Sequence, residues 1–314
     1  MQFQGNFKPE FLQRHEQILL SKQKLEEFKS TCQIPIIKSI RINTLKITIK
    51  DAKKLLEEQG LKLRQIPWEE AGFFVEVYPS DLSLGNMILH QLGYFYVQEA
   101  ASMIPAVILN PKPEDFVLDA AASPGSKTSQ MAAMMQNQGG IIANDKSYKR
   151  IPAMQANLQK LGVTNVAITN NDAKIFKTTK NTFDKILLDA PCSATGNLRK
   201  SDSAMKMWNV NGVRLLGGIQ KSLLSSCIDA LKQGGELVYS TCSLEPEENE
   251  QVIDFILQNK NVKLQKIDFP ENKTSPTLEW DKQKLSPDIK NCLRIYPQDN
   301  NTCGFFIAKL TKLQ

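Results

Sequence analysis

The sequence predicts a doubly wound α/β sheet preceded by a smaller α+β unit, and three observations carry that expectation. Five short apolar segments, FVLD, GIIAND, NVAITNND, FDKILLDA and GELVYS, alternate with helix-forming stretches between residues 116 and 241. Such short strands need helical crossovers to run parallel and are buried on both faces, which is why they read as continuous apolar runs. Residues 1–64 have a different texture, with isoleucine-rich alternation and a basic excess. Finally, 314 residues suffice for one large domain and a smaller companion.

Taken in order, Pro9–Lys29 has helical composition, with Leu12, Ile18, Leu19, Leu25 and Phe28 spaced among charges. Ile34–Ile49 reads as extended, and RINTLK within it, Arg41 to Lys46, alternates as a strand with a basic exposed face. Asp51 is placed as the cap of a helix that Gly60 ends. Leu61–Ile66 and Phe73–Val77 read as strands. Pro79–Tyr94 is irregular, and the boundary falls near Gly93, giving domains 1–93 and 94–314. The helix QEAASMIPAVIL then leads into the five units, and NVKLQKI and GFFIAKL add two strands. Glu271–Pro287 reads as a surface loop.

The net charge of +6 lies in residues 1–64, which hold 13 Lys/Arg against 7 Asp/Glu. That bias suits a phosphate-backbone partner, and equally a solvated basic face. Apolar runs stop well short of the roughly 18 residues a membrane span needs, and no signal-peptide pattern opens the chain. An intracellular, cytoplasmic protein is expected. Six cysteines without a C-x-x-C pair, and only His15 and His90, argue against structural zinc, any other bound metal or a histidine-centred triad.

In an open α/β sheet, ligands bind outside the carboxyl ends of the strands. The first strand ends at Asp119 and opens into AAASPGSKT, whose small residues would let backbone N–H groups approach a ligand. It has neither G-x-G-x-x-G nor Walker spacing, so a nucleoside without polyphosphate suits it best. Asp145 ends the second strand, where a carboxylate can accept from a ribose diol. Asp172 follows the third and could face an adenine amino group; Asp189 ends the fourth. A single such aspartate is more often a cap, but four in succession argue for a site.

Cys192, in LDAPCSATGNLRK, and Cys242, in LVYSTCSLEPEENE, each follow a strand end. A lone cysteine is usually an inert buried thiol, as Cys227 within a helix should be. These two positions share the ligand side, where adjacent strands would bring them into one cleft. Pro246 with Glu247, Glu248 and Glu250 reads as a helix start, whose N–H groups would favour a Cys242 thiolate.

The chain resembles the Nop/Sun family of S-adenosylmethionine-dependent RNA cytosine-5 methyltransferases over nearly its whole length. The matching stretches are RINTLK, YFYVQEAAS, LDAAASPGSKT, LLDAPCSATGNLRK, LVYSTCSLEPEENE and GFFIAKL. It departs from the family in Ala121 for a common Cys, Ser123 for Ala, and Ser126 and Ala194 for Gly. The resemblance implies a class I methyltransferase (Rossmann-like) fold with a seven-stranded, mostly parallel sheet and helices on both faces. It implies an N-terminal domain similar to an RNA-recognition motif. It makes Cys242 the nucleophile and Cys192 its helper in release, and assigns Asp189 to ring nitrogen 3 of the cytosine. Ala122, Ser123, Pro124, Gly125, Ser126 and Lys127, with Asp145, Arg150, Asp172 and Asp189, would surround S-adenosylmethionine. Arg41, Lys46, Arg199 and Lys200 are the expected RNA contacts.

The expected reaction makes 5-methylcytosine in a flipped or single-stranded RNA base, by a monomer. tRNA is favoured over rRNA because the chain is compact. DNA methylation, with Cys192 as nucleophile, and a non-catalytic RNA-binding or assembly factor are the rivals.

Overall fold

The computed structural model describes residues 6–79, 83–269 and 274–314. These fall into two compact units, one holding the residues up to Ile36 with Ala190–Ser225 and Tyr239–Gln314, the other Ile37–Asp189 with Ser226–Val238. The more continuous unit carries most of the sheet.

The continuous unit opens with β1 (Ser39–Ile42), β2 (Lys62–Ile66), β3 (Glu69–Val77) and β4 (Phe95–Val97), in the order β2-β3-β1-β4. β1 is antiparallel to both neighbours, with Ile40 opposite Phe73 and Val97. Helices Ile49–Glu58 and Ile88–Gln91 complete a β-α-β-β-α-β pattern. The first of them is capped by Thr48, whose hydroxyl accepts from Asp51 N at 3.1 Å, so Asp51 sits in the first turn instead of capping it. Gly60, at φ +83°, ends it as expected. The sheet is covered twice. Ile40, Ile42, Phe73 and Val75 pack with Ala52 and Leu56, while Ile66 and Phe74 pack with Ala100 and Met103 of helix Ala100–Leu109.

After that helix come β5 (Phe116–Asp119), β6 (Gly140–Asn144), β7 (Val166–Thr169), β8 (Phe183–Asp189) and β9 (Leu231–Thr241), ordered β9-β8-β5-β6-β7. β5 runs parallel to β6 and β8, and β6 to β7. Strand order therefore reverses at β5, which is where such sheets bind ligands. Val117, Leu118, Ile186, Leu187 and Leu188 are fully buried, as a two-sided cover demands.

β9 passes from this unit into the other, where the order is β10-β14-β9, with β10 (Val262–Gln265), β11 (Glu279–Trp280), β12 (Gln283–Lys284), β13 (Leu293–Ile295) and β14 (Phe305–Lys312). All seven expected strands are present, and β13 adds an antiparallel partner to β14. The expected surface loop at Glu271–Pro287 is only partly so. Residues 271–273 lie outside the described residues, and those after them form the β11–β12 hairpin, anchored by a Trp280 that is 6% exposed.

The N-terminal helical stretch is two helices, Pro9–Leu19 and Lys22–Gln33, broken at left-handed Leu20 and restarted by a Ser21 cap. Their apolar faces, Phe11, Ile18, Leu25 and Phe28, share a core with Trp208, Trp280 and Tyr296. Packing thus follows Ile36 more closely than Gly93: the residues before Ile37 belong with the last third of the chain.

Candidate active site

Both cysteines singled out from the sequence stand in the unit that holds the chain's two ends. β9 ends at Thr241, and Cys242 begins the following turn; its Sγ lies 3.3 Å from Cys192 Sγ, and neither forms a disulfide. The close approach depends on a glycine. Gly196 N donates to Cys242 O at 2.8 Å, and a Cβ at position 196 would meet Gly304 O at 2.3 Å and Cys242 O at 2.8 Å. The Cys192 thiol is held well above its ordinary range by its hydrogen bond with Cys242, by burial and by the negative charge of Glu248. It therefore stays protonated at neutral pH.

The expected helix behind Cys242 starts late. A 3₁₀ turn covers Pro246–Glu248 and the α-helix only Glu250–Asn259. The helix terminus therefore lies further along the chain from Cys242 than the sequence suggested. Glu247, Glu248 and Glu250, read as a helix start, are buried and hydrogen-bonded, as is Glu245 before them. Glu245 accepts from Arg14 Nη2 at 3.0 Å and Trp208 Nε1 at 2.8 Å, and Glu247 from Arg14 Nη2 at 2.8 Å. Glu250 and Arg294, both fully buried, form a fork with Nε–Oε1 at 2.7 Å and Nη2–Oε2 at 2.5 Å. Glu248 accepts from Ser193 N and Gln220 Nε2 at 2.9 Å and from Ser243 Oγ at 2.8 Å. Burial raises the Glu248 pKa, partly offset by those hydrogen bonds. Sequence reading missed this network; the run of four glutamates within six residues was its one local signal.

The strand-end carboxylates belong to the other unit. Gly125, at φ +94°, turns the chain from the small-residue loop into helix Ser126–Met134, a conformation that suits glycine alone. Ala122 N donates to Asn144 O at 2.7 Å, which pins the loop to the end of β6. Asp145, 3% exposed, accepts from Ser123 N at 3.2 Å and Ser147 N at 2.8 Å. Arg150 pairs with it at 3.1 Å and donates to Ser123 O. Asp172 caps the 3₁₀ turn Ala173–Thr178 and pairs with Lys146 at 2.8 Å, which lowers its pKa. It is thus both a cap and a half-exposed acceptor.

Lys127, only 7% exposed, donates to Asp189 Oδ2 at 2.7 Å and to Ser102 Oγ at 3.0 Å. Asp119 is buried and accepts from Thr128 Oγ1 at 2.7 Å; burial pushes its carboxyl up to about 7. The loop, the left-handed glycine and the acceptors Asp145 and Asp172 could hold an adenosine: after Ser123 N, Ser147 N and Arg150, Asp145 keeps acceptor capacity for a ribose hydroxyl, and Asp172 can take an amino group.

Two expected RNA contacts are corrected. Arg41 is 2% exposed and spends its guanidinium on Gln98 Oε1 at 2.9 Å and Ser129 Oγ at 2.8 Å, because the sheet face it points from is covered by a helix. Arg199 is fully buried and donates to the carbonyls of Ile34, Pro35 and Thr302. Both are structural cations. Lys46 and Lys200 are exposed; Lys46 Nζ also donates to the carbonyls of Leu92 at 2.9 Å and Lys160 at 2.7 Å. No cluster of metal-ligating side chains occurs among the described residues, and no helix of theirs is long and apolar enough to cross a membrane.

Comparison with known proteins gives concordant matches. Residues 106–311 match the family described as 16S rRNA methyltransferase RsmB/F, and residues 7–100 the N-terminal domain of 16S rRNA methyltransferase RsmF. The tRNA (cytosine(49)-C(5))-methyltransferase of Pyrococcus abyssi is 43% identical over 311 residues, covering 98% of this chain and 99% of that protein. Ribosomal RNA small subunit methyltransferase F of Vibrio parahaemolyticus is 41% identical over 308 residues, 96% of this chain but 62% of its own length. Among solved structures, a methyltransferase homolog from Pyrococcus horikoshii superposes with a TM-score of 0.83 at 36% identity, covering 98% of this chain and all of that one. NSun6 from the same organism, solved with the S-adenosylmethionine analogue SFG, gives 0.84 at 26% identity, covering 98% of this chain and 99% of that one.

Proposed function

Because this chain belongs to the RsmB/F family of S-adenosylmethionine-dependent methyltransferases, we propose that it methylates carbon 5 of a cytosine in tRNA. The observation that carries the reading is the pair of thiols 3.3 Å apart, one of them kept protonated. tRNA is preferred to rRNA because the tRNA relative is 43% identical over 98% of this chain, against 41% over 96% for the rRNA relative.

Carbon 5 of cytosine is too weak a nucleophile to take a methyl group unaided. Cys242 adds as thiolate to carbon 6, and the electron density pushed into the ring makes carbon 5 nucleophilic. Asp189, oriented by Lys127 at 2.7 Å, holds a proton or hydrogen bond at ring nitrogen 3, where that charge would otherwise build up. S-adenosylmethionine supplies an electrophilic methyl group. Asp145 would hold its ribose and Asp172 its adenine, with residues 122–127 forming the loop around it. Loss of the carbon 5 proton then lets the Cys242–carbon 6 bond break. The Cys192 thiol, beside the departing sulfur, stabilises the returning thiolate by donating S–H. A base must leave its stack for any thiolate to reach carbon 6, so the target is single-stranded or flipped. Lys46 and Lys200 are the surface cations left for phosphates.

The test is transfer of labelled methyl groups from S-adenosylmethionine to tRNA, rRNA fragments and DNA by wild type, Cys242→Ala and Cys192→Ala. Wild type labels tRNA; Cys242→Ala labels nothing, and Cys192→Ala accumulates a covalent RNA adduct. Adducts that persist without Cys242 would overturn the assignment of the nucleophile, and RNA binding without any labelling would favour a non-catalytic factor.

A further inference from the structure

Glu248 is buried and ties together both thiol-bearing turns. Its Oε2 accepts from the backbone N–H of Ser193, the residue after Cys192, and its Oε1 from the hydroxyl of Ser243, the residue after Cys242. Gln220 closes the arrangement: its Nε2 donates both to Glu248 Oε2 at 2.9 Å and to Pro191 O, the residue before Cys192, at 2.8 Å. Both neighbours are pure acceptors, so the amide must present its NH₂ group to them. Ser193 Oγ and Ser243 Oγ lie 3.0 Å apart, and Tyr239 OH donates to the backbone carbonyl of Glu248 at 2.6 Å, anchoring the main chain that carries the carboxylate. One fully buried carboxylate thus fastens the Pro191–Ser193 turn to the Cys242–Ser243 turn.

We propose that Glu248 is a positioning residue for the methyl-transfer reaction, setting the separation of the Cys192 and Cys242 sulfurs and placing a negative charge beside Cys192. The role rests on the reading of this site given above. Glu248 acts through the residues that follow each thiol and touches no substrate atom in doing so. The titratable groups bearing on Cys192 are Cys242 and Glu248. The other acids of the same segment are neutralised elsewhere, Glu245 and Glu247 by Arg14 and Glu250 by Arg294. The charge felt by Cys192 is therefore that of Glu248 and not of the segment as a whole. A neutral side chain of the same shape would leave Cys192 free to compete for the thiolate and would oppose an amide N–H to donors that need an acceptor.

The experiment pairs Glu248→Gln with Glu248→Asp and reads two things. The first is methyl transfer to tRNA. Glu248→Gln lowers kcat by about 10- to 100-fold with KM for tRNA and S-adenosylmethionine within about twofold, the pattern of misplaced reacting groups. The second is alkylation of Cys192 by iodoacetamide against pH, followed by peptide mass spectrometry in a Cys242→Ala background. Adding Glu248→Gln there moves the Cys192 profile to lower pH by about one unit, because a like charge has been removed; Glu248→Asp, which keeps the charge, leaves it close to the parent. An unchanged Cys192 profile in Glu248→Gln, or a loss of turnover matched by a lower melting temperature and no change in that profile, overturns the proposal. Failure of wild type to methylate any RNA would sink the functional reading alone, since the alkylation profile needs no activity.

Discussion

Replacing Asp119 by Asn should make the protein more stable at neutral pH. The carboxyl ends β5 in full burial, and burial lifts its pKa from 3.8 to about 7; the nearby Asp189 charge adds to this, while Lys127 and the Thr128 hydroxyl oppose it. In the unfolded chain the same group titrates near 3.8. Between these values the folded state binds more protons than the unfolded state, so its contribution to stability falls as pH rises through that window and stays lost above about pH 7. A shift of about three units corresponds to roughly 4 kcal/mol at 1.36 kcal/mol per unit. Asn keeps an acceptor for Thr128 Oγ1 and cannot ionise. Urea denaturation of wild type and Asp119→Asn from pH 4 to 8.5 reads the effect directly. The variant's advantage should grow steadily to several kcal/mol by pH 7 and then level off. Curves that stay parallel across the range would refute the burial argument, since every other titrating group is common to both proteins.

Arg294→Met leaves Glu250 charged, buried and unpaired, and should cost about 3–5 kcal/mol; the double replacement with Glu250→Leu should recover much of it, as a denaturant double-mutant cycle can establish. Gly196→Ala forces a methyl group onto Gly304 O and Cys242 O at under 3 Å. It should lower stability by about 1–3 kcal/mol and, by shifting the Cys242 turn, slow formation of the covalent RNA adduct more than tRNA binding; equal losses in both would point to general unfolding.

Sequence alone was a good guide wherever the signal is local. The seven sheet strands are runs of Val, Ile, Leu and Phe whose burial needs no knowledge of neighbours, and the cysteines were found because they sit at strand ends. The misreadings share one cause: a charged side chain carries no local mark of being buried. Arg41 reads as the exposed half of an alternating strand, yet helix Ala100–Leu109 covers that face, and its guanidinium satisfies Gln98 and Ser129. Glu247, Glu248 and Glu250 read only as the start of a helix, with no sign of the burial they share with Glu245. Their partners are Arg14, far back in the sequence, and Arg294, 44 residues beyond Glu250, and no spacing rule links such distant positions.

The packing of Phe11 and Phe28 against Trp280 and Tyr296 has a bearing on how the protein comes into being. Synthesis runs from the N-terminus at about 5–20 residues per second, so these first aromatic side chains are made some tens of seconds before the ones that cover them. Until then the unit holding both thiols lacks a core, although Cys192 and Cys242 have already been made. The continuous unit contains no residue after Val238. A ribosome-bound chain would therefore have made the whole of the continuous unit before it has an ordered pair of sulfurs, and the unit that holds them would be assembled only as β14 is delivered.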